Sequence, residues 1–482
     1  MTTVRKALAF SVSQRFLSFA IQLGSTIVIS RLITPAQTGI FSLAVGLVAI
    51  AQMFRDFGVG EFLLQEKELT PDLLRVAFTI ALTLGWSIGF ILLLLAEPAA
   101  AFYREPVVAD VIRILSISFF LVPLGYVANA LLTRTMRFDL LLITQTVSTA
   151  LGTALAILLA WLGYGSIGLA WAMVVGVALN VVMIAFIRPR EMLYWPLWSG
   201  WSRIGRFGFY KTACFLLEQF SRRAPDFFIA RTLGFAASGL YSRANGFAGT
   251  FSDFLMSAVY RVAVPGFAKL RNDGHSLGQA YLDANRLLAC LPLSFFSFAA
   301  LYAEPIVLLL FGDQWHGAIA PMRWLAVGGV IATPIMLAAP LLTAGGAVQG
   351  LFRAQIVANP VQVTLIALAS MHSIEAVAAI SILACVLWNA LLHREVQKIT
   401  DVTPAEMARA IWPGLTVAAL ALPLPALYLI AAQHLHLPIF LIAVGGGALY
   451  GLCWLTSLYL LKHPYRSECG KMLQRIGLLK AS

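Results

Sequence analysis

The sequence predicts an all-α integral membrane protein of about fourteen transmembrane helices, built as two pseudo-symmetric six-helix bundles followed by two further helices. Three observations carry that expectation. Of the 482 residues 60% are hydrophobic and only 12% are charged, with a mean hydropathy of +0.84. That is about half the charge of a soluble globular chain, too little to cover a water-facing surface. Apolar runs of the length that crosses a bilayer follow one another from end to end. A stretch of the first half also returns in the second at a fixed offset.

The apolar runs lie near 8–31, 37–63, 73–96, 107–133, 140–163 and 166–187, then 204–233, 237–263, 280–302, 318–344, 351–371 and 373–393, and finally 409–431 and 437–461. The first is expected to be a retained helix, since no small-residue cleavage site follows it. Breaker chemistry marks the joints: Thr34-Pro35, Glu97-Pro98, Tyr164-Gly165, Arg188-Pro189, Glu304-Pro305 and Leu437-Pro438. The largest pieces left outside the membrane are about 188–203, 264–279, 394–408 and the basic tail after Lys462. The five cysteines are scattered, with no C-x-x-C pair, so neither a disulfide framework nor a zinc site is indicated.

Lys and Arg concentrate on the cytoplasmic side of membrane proteins. With the N-terminus cytoplasmic, 23 loop cations fall on that side and 5 on the other. An even helix count then places both termini inside. The net charge of +12 is thereby accounted for by topology, and no nucleic-acid partner is called for.

Residues 29–47 align without gaps on 229–247. Ile29, Arg31, Ala36, Gly39, Ser42, Ala44 and Gly46 meet Ile229, Arg231, Ala236, Gly239, Ser242, Ala244 and Gly246. Ala96-Glu97-Pro98 is echoed by Ala303-Glu304-Pro305. Arg, Glu and Pro are scarce here, so shared apolar composition does not explain the match. The offset spans six helices, an even number, and the copies therefore run parallel in the membrane, a standard transporter plan. The expected division is an N-terminal lobe over 1–200, a second lobe over 201–400, and two added helices with the tail over 401–482.

Six basic residues remain inside apolar runs: Arg15, Arg55, Lys211, Arg222, Arg223 and Arg243. All belong to the first two helices of one repeat or the other. A charge at the bilayer centre costs about 2.5–3.5 kcal/mol on insertion scales, so such residues face a protein interior or a wet cavity. The expectation is a cationic cleft between the lobes. Ser11, Arg15, Ser18, Gln22 and Ser25 recur at steps of 4, 3, 4 and 3, one polar stripe at the helical period. Lys211, Glu218, Arg222 and Asp226 fall on one face of the seventh helix, with Arg223 beside it and a Pro225 kink. The eighth brings Arg243, Asn245, Ser252, Asp253 and Ser257.

Interior carboxylates are Asp56, Glu218, Asp226 and Asp253. Pairs of the Glu218–Arg222, Arg222–Asp226 and Arg55–Asp56 kind neutralise part of the cleft, but the sum stays positive. Guanidinium groups are natural partners of phosphate and carboxylate oxygens, which points to a pyrophosphate headgroup or an acidic sugar as cargo. The same carboxylates are candidate coupling groups for a proton or sodium gradient, or purely structural partners. No phosphate loop G-x-x-x-x-G-K-[ST] is present, and no convergent catalytic set or metal-ligand cluster appears, so neither an enzyme nor a bound cofactor is expected. A drug/cation antiporter would want an acidic cleft.

Phe54-Arg55-Asp56-Phe57-Gly58-Val59-Gly60 with Leu64-Gln65 resembles the second-helix signature of polysaccharide flippases in the multidrug/oligosaccharidyl-lipid/polysaccharide exporter superfamily. Ser221-Arg222-Arg223-Ala224-Pro225-Asp226, running on through Ile229–Gly234 and Gly239–Ala244, is similar to another motif of that family, as is Glu304-Pro305 through Phe311-Gly312-Asp313-Gln314-Trp315. The likeness covers roughly residues 1–400 and is nearest to the exopolysaccharide, colanic-acid-type branch; Ala224-Pro225 departs from the usual pair. The resemblance implies flipping of an undecaprenyl-pyrophosphate-linked oligosaccharide between leaflets by alternating access. Membrane lipids and the polysaccharide polymerase and export machinery would be its partners. It carries Arg55, Asp56, Arg222, Asp226 and Arg243 as functional residues. A peptidoglycan-precursor lipid flippase is the alternative it leaves open.

Overall fold

A computed structural model describes residues 21–199 and 201–466, with side chains at 202–215 outside that description. The described residues form helices and no strand: α1 (Ile21–Leu32), α2 (Pro35–Asp56), α3 (Val59–Gln65), α4 (Pro71–Tyr103), α5 (Val107–Arg134), α6 (Phe138–Trp161), α7 (Gly165–Ile187), α8 (Trp201–Thr232), α9 (Phe235–Asn272), α10 (Leu277–Leu288), α11 (Cys290–Leu301), α12 (Ala303–Leu310), α13 (Ile319–Ala332), α14 (Ala338–Ala344), α15 (Val348–Ala369), α16 (Ile374–Thr400), α17 (Pro404–Ala421), α18 (Pro423–His434) and α19 (Ile439–Leu460).

Each of the fourteen expected segments is helical where it is described. Among the described residues, eleven helical stretches are long and apolar enough to cross a membrane. The count of fourteen spans is not reached on length and hydropathy alone. α1 is described over twelve residues, while α8 and α9 carry the polar residues that lower their hydropathy.

Threonine–proline pairs start helices as local chemistry dictates. Thr34 Oγ1 accepts from the Gln37 N–H at 3.3 Å, and Gln37 Oε1 accepts from the Thr34 N–H at 3.0 Å, a reciprocal box with Pro35 where no N–H is needed. Thr403, Pro404 and Glu406 repeat it at α17. One expected boundary is corrected. Glu97-Pro98 is not a joint: α4 runs through Pro98 to Tyr103 and stops at Arg104, whose φ is 58°. Packed neighbours tolerate a proline inside a membrane helix, and Glu97 is held by Arg113 of α5. The 264–279 piece, expected outside the membrane, is largely helical: α9 continues through Pro265 to Asn272.

The chain divides into two compact units, Met1–Ser242 and Arg243–Ser482. In the first, Leu43, Ala44, Val48, Ile112, Leu115 and Phe119 form a core shared by α2, α4, α5 and α8. The two copies of the sequence repeat meet there. A Cβ on Gly39 would lie 2.0 Å from the Phe235 carbonyl oxygen, and one on Gly239 would lie 1.8 Å from the Pro35 carbonyl oxygen. Only glycine permits that approach. Ser42 and Ser242 hydroxyls hydrogen-bond at 2.7 Å. The contact is reciprocal: each glycine meets the backbone carbonyl at the equivalent position of the other helix start, Pro35 or Phe235, and serine meets serine.

In the second unit, Tyr281, Leu337, Leu341, Leu342, Leu392 and Val396 build a core. Tyr302 and Tyr450, with hydroxyls on the Pro425 and Ser294 carbonyl oxygens at 2.7 and 2.8 Å, fasten α18 and α19 to α11 and the start of α12.

Candidate functional site

Arg55 lies in the last turn of α2, where Phe57 (φ 35°) and Gly58 (φ 66°) end the helix and start α3. Arg55 Nε and Nη2 both donate to Asp56 Oδ1, at 2.9 and 2.8 Å, and the guanidinium stands 5.3 Å from the centre of the Phe119 ring. Its side chain is 11% exposed, while that of Asp56 is 45% exposed. The bend is clamped by Tyr126 of α5, whose hydroxyl donates to the Asp56 carbonyl at 3.2 Å and accepts from the Gly60 N–H at 3.1 Å.

On α8 the charges sort themselves differently from the single face expected. Arg222 reaches back one turn to Glu218 at 3.1 Å and is 63% exposed. Arg223, not Arg222, pairs with Asp226, at 3.7 Å, and that carboxylate side chain is only 10% exposed. Packing explains the choice. The Arg223 stem and Phe227 rest on Gly46 of α2, where a Cβ would come within 3.6 Å of Arg223 Cδ and 3.1 Å of the Phe227 ring. The face carrying Asp226 is therefore turned into the protein, and Arg222 is left outside it. The helix runs unbroken through Pro225. The side chain of Lys211 and all of Arg15 lie outside the described residues.

In the second unit, Arg243 forms no ion pair among the described residues. Its guanidinium lies over Trp315 at 4.9 Å and Phe311 at 5.6 Å, two rings that are 0% and 2% exposed. Its Nε is buried without a hydrogen-bond partner. Aromatic faces attract the cation without neutralising it, and no carboxylate among the described residues offsets the Arg243 charge. Gly312, at φ 96°, is the turn that brings Phe311 and Trp315 beside each other. Asp253 is exposed and makes no ion pair among the described residues. No metal-holding group of His, Cys, Asp and Glu occurs among the described residues.

Charge-led reading of the sequence missed a cavity of about 630 Å³ in the first unit, bounded by α1, α5, α6 and α7. It is lined by Gln22, Asn129, Gln145, Thr149, Thr153 and Asn180 and touches Tyr126. The signal was present: Gln145, Ser148, Thr149, Gly152 and Thr153 recur at helical spacing on α6. Gln22, a member of the polar stripe on the first helix, faces the same space.

With this geometry in place, comparison with known proteins is informative. The family described as "Polysaccharide biosynthesis protein" matches residues 28–320. The chain belongs to this family. Arg55, Asp56, Arg222, Asp226, Arg243 and Trp315 all fall inside the matched residues, and Arg15 falls before them. The succinoglycan biosynthesis transport protein ExoT of Rhizobium meliloti (strain 1021) is 28% identical over 71% of this chain and 70% of its own length. The lipopolysaccharide biosynthesis protein WzxC of Escherichia coli (strain K12) is 22% identical over 63% of this chain and 62% of its own. Among solved structures, the Lipid II flippase MurJ in an inward closed conformation overlays with a TM-score of 0.76 at 12% identity, over 94% of this chain and 98% of that one. An inward-facing multidrug resistance MATE transporter of the MOP superfamily gives 0.58 at 17% identity, over 80% and 95%. At those identities the likeness is one of fold. The chain is thus a multi-pass helical membrane protein of a polysaccharide biosynthesis family.

Proposed function

We propose that the chain is a flippase that moves an anionic undecaprenyl-pyrophosphate-linked oligosaccharide from the cytoplasmic to the periplasmic leaflet, for exopolysaccharide or lipopolysaccharide biosynthesis. The family match carries this reading, with the cationic residues that fall inside it giving the family a chemistry. Relatives named for succinoglycan transport and lipopolysaccharide biosynthesis support it. Arg243 is its best-placed ligand, since no carboxylate competes for its guanidinium among the described residues. The exposed Arg222 and the half-neutralised Arg55 would add donors in the fork geometry that phosphate oxygens accept. Two lobes, 1–200 and 201–400, would rock about the headgroup while the prenyl tail stays in lipid. On this reading the chain moves its cargo without chemistry on it, sits in the inner membrane with both termini cytoplasmic, and hands its cargo to a polymerase. A proton or sodium gradient would drive it, with Glu218, Asp226 or Asp253 as the responding carboxylate.

The test is deletion of the gene followed by analysis of lipid-linked glycans. The expected result is accumulation of an oligosaccharide on undecaprenyl pyrophosphate, relieved by the intact gene and not by the triple variant Arg222→Ala, Arg243→Ala, Lys211→Ala at equal expression. Full export by the triple variant would overturn the cationic site. Accumulation of a peptidoglycan precursor instead would assign the chain to that cargo, and export of a dye cation by the purified protein would make it an antiporter.

A further inference from the structure

The cavity in the first unit poses a chemical question that the cationic residues do not answer. None of the described residues that line it is charged. Its polar groups are carboxamides and hydroxyls, set against Phe41, Met173 and small residues. Among the described residues, the side chains of Asn129, Asn180, Thr149 and Thr153 make no hydrogen bond, although they sit on helices that span the membrane. A carboxamide without a partner in an apolar medium costs free energy that water or a ligand must offset. Each carboxamide offers two donors and an acceptor of two lone pairs. That is the complement of a vicinal diol, whose hydroxyls both donate and accept.

The walls are built to leave this space. Gly152 and Gly176 bring α6 and α7 so close that a Cβ on Gly152 would lie 3.3 Å from Gly176 Cα. The polar positions of α6 then fan toward α5 and α1. At about 630 Å³ the cavity is of the size that encloses a small molecule. An acyl chain would leave every amide unpaired, and an anion would meet acceptors as often as donors.

We infer that this cavity is a saccharide subsite that holds neutral sugar rings of the cargo through the carboxamides of Asn129 and Asn180 and the hydroxyls of Thr149 and Thr153. The inference rests on the flippase reading and adds to it a separation of roles. Arginine side chains hold the pyrophosphate, and a chamber whose described lining carries no charge reads the glycan. Tyr126 stands between the two, lining the cavity and clamping the bend that carries Arg55 and Asp56.

The experiment uses the full-length protein in detergent and three probes. These are undecaprenyl pyrophosphate alone, the lipid-linked oligosaccharide that accumulates in a strain lacking the gene, and the free oligosaccharide released from it by mild acid. Asn129→Leu and Asn180→Leu are near-isosteric, and Thr149→Val removes only a hydroxyl should either Asn variant fold poorly. The wild type is expected to bind the lipid-linked oligosaccharide more tightly than the bare carrier. Each variant is expected to lose about three- to tenfold of its affinity for the glycosylated probe, the worth of one hydrogen bond, with affinity for the bare carrier unchanged. Saturation-transfer NMR should show the free oligosaccharide contacting the wild type, and Asn180→Leu should need a correspondingly higher concentration for the same signal. If variants with wild-type melting behaviour bind the glycosylated probe as the wild type does, or lose both lipids equally, the cavity is a water-filled void only and the inference falls. If the wild type binds neither lipid, the flippase reading falls with it.

Discussion

Substituting Gly239 by alanine places a methyl group where no room exists. The Cβ would lie 1.8 Å from the Pro35 carbonyl oxygen, against about 3.4 Å for ordinary contact, so the starts of α2 and α9 must part by roughly 1.5 Å. Neither atom that collides is a flexible side-chain end; both belong to helix starts that neighbouring helices hold in place. Overpacking of this kind costs about 1–3 kcal/mol. A displacement that large also breaks the 2.7 Å bond between Ser42 and Ser242, adding about 0.5–1.5 kcal/mol. The expected cost is about 2–4 kcal/mol, read as a fall of several degrees in the melting temperature of the purified protein. Gly39→Ala, blocked at 2.0 Å by the Phe235 carbonyl, should cost about the same. Because both variants open the same crossing, the double variant should cost at least about 1 kcal/mol less than the sum of the two. Melting within about 1 °C of wild type for either single variant, or strict additivity in the double, would refute a backbone-to-backbone crossing at this point.

Two further outcomes follow from other parts of the chain. Tyr126→Phe removes a hydroxyl that both donates to Asp56 and accepts from Gly60; it should cost about 1–2 kcal/mol and raise amide hydrogen exchange over 57–62, and unchanged exchange at Gly60 would count against the clamp. His463, beyond the last membrane helix, is buried, with Nδ1 accepting from the Tyr465 N–H. Burial, and then the Arg286 charge, hold its pKa below the usual imidazole value, so folding favours the neutral ring. Its contribution is fully present above the unfolded pKa of about 6.5 and is lost as pH falls below that toward the lowered folded value. Melting temperature should therefore drop between pH 7.5 and 5.5, less steeply in His463→Gln; an equal slope in both would exclude this residue as the source.

The helices were legible because hydrocarbon imposes a length and a composition that nothing else does. Thr34-Pro35 and Leu437-Pro438 marked true starts because a proline N–H is not missed at a first turn. Pro98 misled because the same residue late in a long membrane helix is carried by its neighbours. The interior charges were legible as an anomaly, but their pairing was not. Spacing alone allows Asp226 to meet Arg222 at i−4 or Arg223 at i−3, and the decision came from Gly46 on another helix. The environment of Arg243 joins residues 68 and 72 positions apart in sequence, at Phe311 and Trp315, and no local pattern announces that. The amide-lined cavity escaped because uncharged polar residues are inexpensive enough in a helix to pass as packing.

The meeting of Gly39 with Gly239 and of Ser42 with Ser242 has a historical reading. Two identical surfaces that contact each other through the same residues are the mark of a two-fold homodimer. A protein of one repeat would have made this contact with a second copy of itself, glycine to glycine and hydroxyl to hydroxyl. In one chain the copies need not stay identical, and at other positions they differ. At this crossing divergence was not free, since a methyl group on either side is refused by the other. The sequence repeat is best preserved where the ancestor's two subunits would have touched.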